Sequence, residues 1–185
     1  MDTYAEYMVK KKRTTKDYIL IALIILWTIV ALAVAAVLLM FTFVGTFGFI
    51  IGFAAVYGAY RLITAQKIEY EYLVTNGHID IDKIISQRKR KRVVSVPGSR
   101  MDTLLPYDNQ NKAELSQGRD RFIIAASGSD SPNLWYFTYS SKKNGKSLIV
   151  FEPNEKVLRA LQTKLSGSTL RETKKYIDEQ FNTTK

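Results

Sequence analysis

The chain of 185 residues contains no cysteine. Disulfides, thiolate nucleophiles and thiolate metal ligands are therefore excluded. It contains one histidine, His78, so imidazole chemistry has a single candidate. A third absence says more. No charged residue occurs from Tyr18 to Tyr60, a run of 43 residues that are nearly all apolar. A bilayer span needs about 20 such residues. As a single helix the run would reach about 65 Å, roughly twice the hydrocarbon thickness. The run is therefore read as two spans in a tight hairpin, about 18–40 and 45–63, turning between Phe41 and Gly48. The run from Tyr18 to Tyr60 holds no charged residue, which argues against an ion channel or a proton pump. Lys10 to Arg13 has the look of a signal-peptide n-region, but the apolar run is too long for the h-region that should follow, and cleavage would still leave an anchor.

Net charge is +10. The head, residues 1–17, has basic residues at Lys10, Lys11, Lys12, Arg13 and Lys16, against acidic Asp2, Glu6 and Asp17. Basic residues are again in excess from Arg61 onward, and the hairpin tip has none. Positive flanks predict both termini, and the domain after the hairpin, on the cytoplasmic side of the cell membrane. In the second span Gly45, Gly48, Gly52, Ala55 and Ala59 share one helical face, with Gly48 and Gly52 forming a GxxxG. Small residues let helices approach closely in lipid, so this face packs on the first span, on a second copy or on a protein partner.

After Lys67 the pattern changes to a period of two. Ile68, Tyr70, Tyr72 and Val74 alternate with Glu69, Glu71, Leu73 and Thr75. Asn76-Gly77, a strong hairpin signal, joins them to the alternation of Ile79 and Ile81 with Asp80 and Asp82. Further strands are expected near 89–96, 101–107, 119–127, 133–140 and 146–152, with a polar loop over 108–118. Val157, Leu158, Leu161 and Leu165 mark one face of a helix ended by Gly167. Thr169 and Glu172 form a capping-box pattern for a last helix. The resulting reading is an α+β membrane protein. It has a basic head (1–17), a transmembrane helical hairpin (18–63), a seven-stranded antiparallel barrel or sandwich with a capping helix (67–166), and a C-terminal helix and tail (168–185).

That element order, with Tyr70-Glu71-Tyr72-Leu73-Val74-Thr75-Asn76-Gly77-His78-Ile79-Asp80-Ile81 followed by Arg88 to Arg92 and Val93-Val94, resembles bacterial pleckstrin-homology-like (PH-like) domains that follow paired membrane helices. The resemblance implies a PH-like fold and a membrane location, and no reaction. It departs from phosphoinositide-binding PH domains at the loop that carries their basic ligands. Here that loop is Asn76-Gly77, without lysine or arginine.

Arg88-Lys89-Arg90-Lys91-Arg92 is the sharpest polar feature. With Lys10 to Arg13 and Lys16 it could meet anionic headgroups, each charge worth about 1 kcal/mol at such a surface, or it could be a solvated strand face. Asp80, Asp82 and His78 lie on one side of a strand and read as solvated in preference to metal-binding. Gly145-Lys146-Ser147 lacks the earlier glycine of a P-loop. Trp135, Tyr136, Phe137 and Tyr139 put core aromatics on at least one face of a strand. No nucleophile, base and metal come together in the pattern, so no catalytic, cofactor or metal residues are assigned. The expected function is non-enzymatic: a membrane-held domain that docks a protein partner. The alternative is a sensor of anionic lipid headgroups, an uncharacterised enzyme is remote, and nucleic acid is disfavoured.

Overall fold

The computed structural model describes residues 3–41, 45–142 and 144–182. The chain divides into two compact units, Lys12–Ile68, and Met1–Lys11 together with Glu69–Lys185.

The first of these is a pair of helices, α1 (Thr15–Leu39) and α2 (Gly45–Ala65). Asp17 starts α1 by accepting hydrogen bonds from the Thr14 N–H (2.8 Å) and hydroxyl (2.9 Å). Trp27, Phe49, Phe53 and most other large apolar side chains of the pair are exposed. Both helices are long and apolar enough to cross a membrane. The centre of the expected turn, residues 42–44, lies outside the described residues. The helices are in close contact at Gly48, where a Cβ would lie 2.7 Å from the Ala35 carbonyl oxygen.

The second unit contains a strand that the sequence reading assigned to the basic head. Residues of β1 (Tyr4–Lys10) pair antiparallel with β2 (Ile68–Thr75), from Tyr4 opposite Thr75 to Lys10 opposite Glu69. Ala5 and Val9 are buried and Tyr4 and Lys10 are exposed, as a half-buried strand requires. The helix pair is thus an insertion between two adjacent strands. Residues β3 (His78–Ile85) and β4 (Lys89–Pro97) complete a sheet in the order β1-β2-β3-β4. Asn76 and Gly77 both have positive φ, +50° and +74°, as the hairpin turn between β2 and β3 demands.

The remaining strands are β5 (Met101–Pro106), β6 (Arg121–Ala125), β7 (Trp135–Ser141) and β8 (Gly145–Phe151). They form a separate sheet in the order β5-β7-β8-β6. The expected single seven-stranded antiparallel barrel is therefore corrected to two four-stranded sheets. One added strand is β1. The other change is that β6 runs parallel to β8, Arg121 opposite Ser147 through Ala125 opposite Phe151. Strands β7 and β8 are consecutive and pair with each other, from Trp135 opposite Phe151 to Ser141 opposite Gly145, which leaves the free side of β8 for β6. Asp120 fixes that register. Its N–H donates to the Lys146 carbonyl (2.9 Å), and its carboxylate accepts from the Lys146 N–H (2.8 Å). Gly145 has φ +61°, and a Cβ there would overlap the Asp120 carboxylate. Gly145→Ala is expected to lower stability by about 1–3 kcal/mol. The result to look for is a lower urea midpoint with an unchanged slope.

Tyr72, Phe151 and Phe137 stack edge-to-face between the sheets, with centroids 5.6 and 5.4 Å apart. The end of this core is closed by α4 (Glu155–Gln162), which buries Val157, Leu158 and Leu161 and is capped by Asn154, whose side chain accepts from the Val157 N–H (2.9 Å). Gly167 does not end that helix; it opens α5 (Gly167–Asn182). Thr169 is correspondingly inside α5 and its hydroxyl donates to the Asp102 carbonyl of β5, as Thr173 donates to Leu104. Docking on β5, in place of capping, explains both threonines. The segment expected as a polar loop includes α3 (Lys112–Ser116), whose Leu115 joins Phe122, Ile124, Tyr136 and Leu148 in a second apolar cluster.

Candidate functional site

Strand alternation puts Glu71, Asp80 and Asp82 on the face of the first sheet opposite Tyr72, Ile79 and Ile81. In β4 it sends Arg90 and Arg92 to that same face, because Asp82 stands opposite Arg92 and Ile84 opposite Arg90. Arg90 pairs with Glu71 (2.7 Å) and lies 3.8 Å from Asp82. Arg92 pairs with Asp80 (2.7 Å) and with Asp82. His78 reaches the Ser95 hydroxyl (2.8 Å) and lies 3.5 Å from Asp80. Glu71 and Asp82 are only 7% and 5% exposed. Such burial is tolerable for a carboxylate only with a charged, hydrogen-bonding partner. The hydrogen bond to Asp82 raises the pKa of the Arg92 guanidinium further above its already high range, outweighing the opposing effect of desolvation with help from the charges of Asp80 and Asp82.

The basic run is thus divided. Arg90 and Arg92 are neutralised within the sheet. Arg88, Lys89 and Lys91 are exposed and have no carboxylate partner among the described residues. Of the head's cations, Lys10 lies 3.8 Å from Glu69, and Lys11, Lys12, Arg13 and Lys16 are exposed. Lys12, Arg13 and Lys16 belong to the helical unit, Lys10 and Lys11 to the β unit. The carboxylates that the sequence reading left to solvent are half of a charged lattice, and among the described residues no three acidic, histidine or cysteine side chains form a metal cluster.

A groove of about 520 Å³ runs along β4 and is lined by Arg92, Ser95, Arg100, Arg121, Tyr139 and Asn144, among others. Among the described residues no carboxylate lines it. Arg100 and Arg121 have no ion-pair partner among the described residues. Tyr139 is among its lining residues, and its hydroxyl is buried without a hydrogen-bond partner among the described residues. Sequence reasoning missed this site, because Arg100, Arg121 and Tyr139 are scattered singly along the chain and only the pairing of strands assembles them.

The aromatic strand is core on both faces. Trp135, Phe137 and Tyr139 are buried on one side, and Tyr136 packs in the second cluster on the other. Trp135 Nε1 donates to Gln180 of α5 (3.2 Å). Gly145-Lys146-Ser147 opens a strand, not a helix. On α2, Gly48 and Gly52 face Ala35 of α1, and Gly45 lies against the end of α1 near Leu39. Ala55 and Ala59 line a shallow apolar groove of about 580 Å³ with Trp27 and Gly58.

Two apolar helices carried by a two-sheet β domain with a helical plug define a PH-like protein bearing candidate membrane spans. The chain belongs to the family described as Bacterial PH-like domain (DUF6106), whose model matches residues 1–170. The match takes in β1 and both helices as well as the β domain, so the inserted hairpin is part of what the family model describes. No curated protein and no solved structure matches the chain.

Proposed function

We propose that this chain is a non-enzymatic membrane protein whose helical hairpin holds the PH-like domain at the cytoplasmic face as a docking module for a protein partner. The observation that carries the reading is the insertion of the hairpin between β1 and β2. Both stems of the hairpin leave from Lys10 and Glu69, which stand opposite each other in one strand pair. Residues before the hairpin and after it therefore lie in one folded sheet, which is compatible only with an even number of crossings. The excess of basic residues at the two stems favours the cytoplasmic side. The lipid-sensor reading loses two of its five strand cations to ion pairs, which favours protein docking over headgroup binding.

Topology tests the first half. The absence of cysteine lets single cysteines be placed at Thr46 and Asp130 and probed in intact cells with an impermeant maleimide. Labelling of Thr46 in intact cells, with Asp130 labelled only after lysis, is expected. Labelling of Asp130 in intact cells overturns the cytoplasmic placement. Charge reversal of Arg88, Lys89 and Lys91 tests the second half. The docking reading expects unchanged protein levels and cross-linked partners in cells; a lipid sensor would lose its surface contact.

A further inference from the structure

We propose that the open edge of β4 receives an extended acidic segment of a partner protein as a fifth strand of the first sheet; this rests on the docking reading and names its site. The backbone makes the argument first. The Gly98 N–H donates to the Gly77 carbonyl at 2.8 Å, and the register continues with Val96 opposite Ile79 and Val94 opposite Ile81. In an antiparallel ladder, alternate residues direct their N–H and C=O to one neighbour and the residues between direct theirs to the other side. Gly98, Val96 and Val94 face β3. Ser95 N–H and C=O, and the Pro97 carbonyl, therefore face the open edge. Pro97 fits this placement, since an outward position on an edge strand requires no N–H. β4 is the last strand of its sheet, so nothing in the sheet meets those groups. The register shift at Ile81/Asp82 leaves Val93 as the extra residue of a bulge, and bulges turn an edge strand and re-aim its side chains.

The side chains supply the sign of the partner. The groove beside this edge holds Arg92, Arg100 and Arg121 and, among the described residues, no acidic one. Arg92 is already committed to Asp80 and Asp82, so Arg100 and Arg121 are the available pair. Tyr139, a residue 5% exposed, also lines the groove, and its hydroxyl is buried with no hydrogen-bond partner among the described residues. A buried hydroxyl without a partner is costly, and a small shift of the ring toward the groove would let a ligand carboxylate or carbonyl relieve it. A phosphate or lipid headgroup would meet the arginines but leave the strand edge unpaired. An extended peptide with carboxylates on alternate residues meets both, by strand addition for affinity and charge for specificity.

The test uses the full chain in nanodiscs and a fluorescent peptide of alternating glutamate and valine, read by anisotropy. Saturable binding is expected, with the lysine-for-glutamate peptide silent. Arg100→Glu with Arg121→Glu should weaken binding about tenfold or more. Ser95→Pro removes the outward N–H and should abolish binding, whereas Ser95→Ala keeps it and should bind as the parent does. Tyr139→Phe should weaken binding severalfold with no loss of thermal stability. If Ser95→Pro fails to fold, the arginine pair carries the test. Absence of binding, equal binding of the lysine peptide, or a folded Ser95→Pro that binds normally overturns the proposal. Inositol hexakisphosphate that binds the Ser95→Pro and parent proteins alike, in competition with the peptide, would make the groove an anion site and also overturn it. A photo-cross-linker at Ser95, and others at Tyr4 and Lys142, separate this site from docking in general. Partner adducts in cells at Tyr4 or Lys142 but never at Ser95 would retain the docking module and remove the groove.

Discussion

A chain shortened to begin at Lys67 is expected to be insoluble or unfolded, whereas one in which residues 11–68 are replaced by Asn-Gly is expected to be a soluble, cooperatively folding domain. The shortened chain lacks β1. Ala5 and Val9 are each 6% exposed, and Tyr7 packs against Tyr72 with ring centroids 6.3 Å apart. Burying side chains of this size contributes about 1.5–3 kcal/mol each for the larger ones. The loss is on the order of 5 kcal/mol before the strand ladder is counted, comparable with the whole stability of a small domain. It would also expose β2, with its buried Tyr70, Tyr72 and Val74, as a new sheet edge open to aggregation. The replacement chain keeps β1. Lys10 and Glu69 stand opposite each other, so a two-residue turn closes the hairpin that the two apolar helices otherwise interrupt. Soluble yield, circular dichroism and a single urea transition measure both. Equal folding of the two chains would show that β1 is dispensable.

Tyr72→Phe is expected to destabilise the domain by about 2–4 kcal/mol and to flatten its alkaline denaturation. Tyr72 is fully buried, and its hydroxyl donates to the Ala125 carbonyl of the second sheet while accepting from the Glu152 N–H (3.2 Å). Phenylalanine fills the ring's space and leaves that carbonyl and N–H without their partner, so the cost is one of desolvation more than of packing. The pH dependence follows from burial, which pushes the Tyr72 phenol far above its ordinary value of 10.0. The folded pKa is the higher one. Below pH 10 both states hold the proton and the contribution to stability is complete. Above pH 10 the unfolded chain releases a proton that the native state retains, and stability falls by about 1.4 kcal/mol per pH unit for each such group. Tyr70, Tyr107 and Tyr136 are shifted upward by burial as well and steepen the same limb. Urea titrations at pH 8 to 11 should show a shallower decline for Tyr72→Phe than for the parent. Parallel declines would remove Tyr72 from the account.

Local signals in the sequence correspond to elements with local causes. An uncharged run is legible because membrane compatibility is a property of composition over a window, and the two helices fall where the run lies. Asn76-Gly77 is legible because a turn with positive φ selects those residues whatever surrounds them. The helix over Val157, Leu158 and Leu161 is legible because its apolar spacing repeats within two turns. What stayed hidden was nonlocal. The strand at Tyr4–Lys10 finds its partner across the inserted hairpin, and a short alternation that includes Glu6 and Lys10 gives no sign of it. Strand β6 has the same pattern whether it continues a meander or crosses to the far side of β8; competition for edges decides that, and Asp120 with Gly145 records the outcome.

Local signals along the chain are enough to specify a helical hairpin with a charge-free stretch from Tyr18 to Tyr60, a β-rich domain with a tight Asn-Gly turn and a helical plug, and no thiol chemistry. Which charges are free depends on how the strands pair. Five consecutive basic residues read as one patch along the chain, yet alternation aims Arg90 and Arg92 at Glu71, Asp80 and Asp82, and those carboxylates come from two other strands. The same pairing that cancels them gathers Arg100, Arg121 and Tyr139 beside the open edge of β4. Charge is written residue by residue, but its partner is chosen by strand register, and register is set by contacts between segments far apart in the chain.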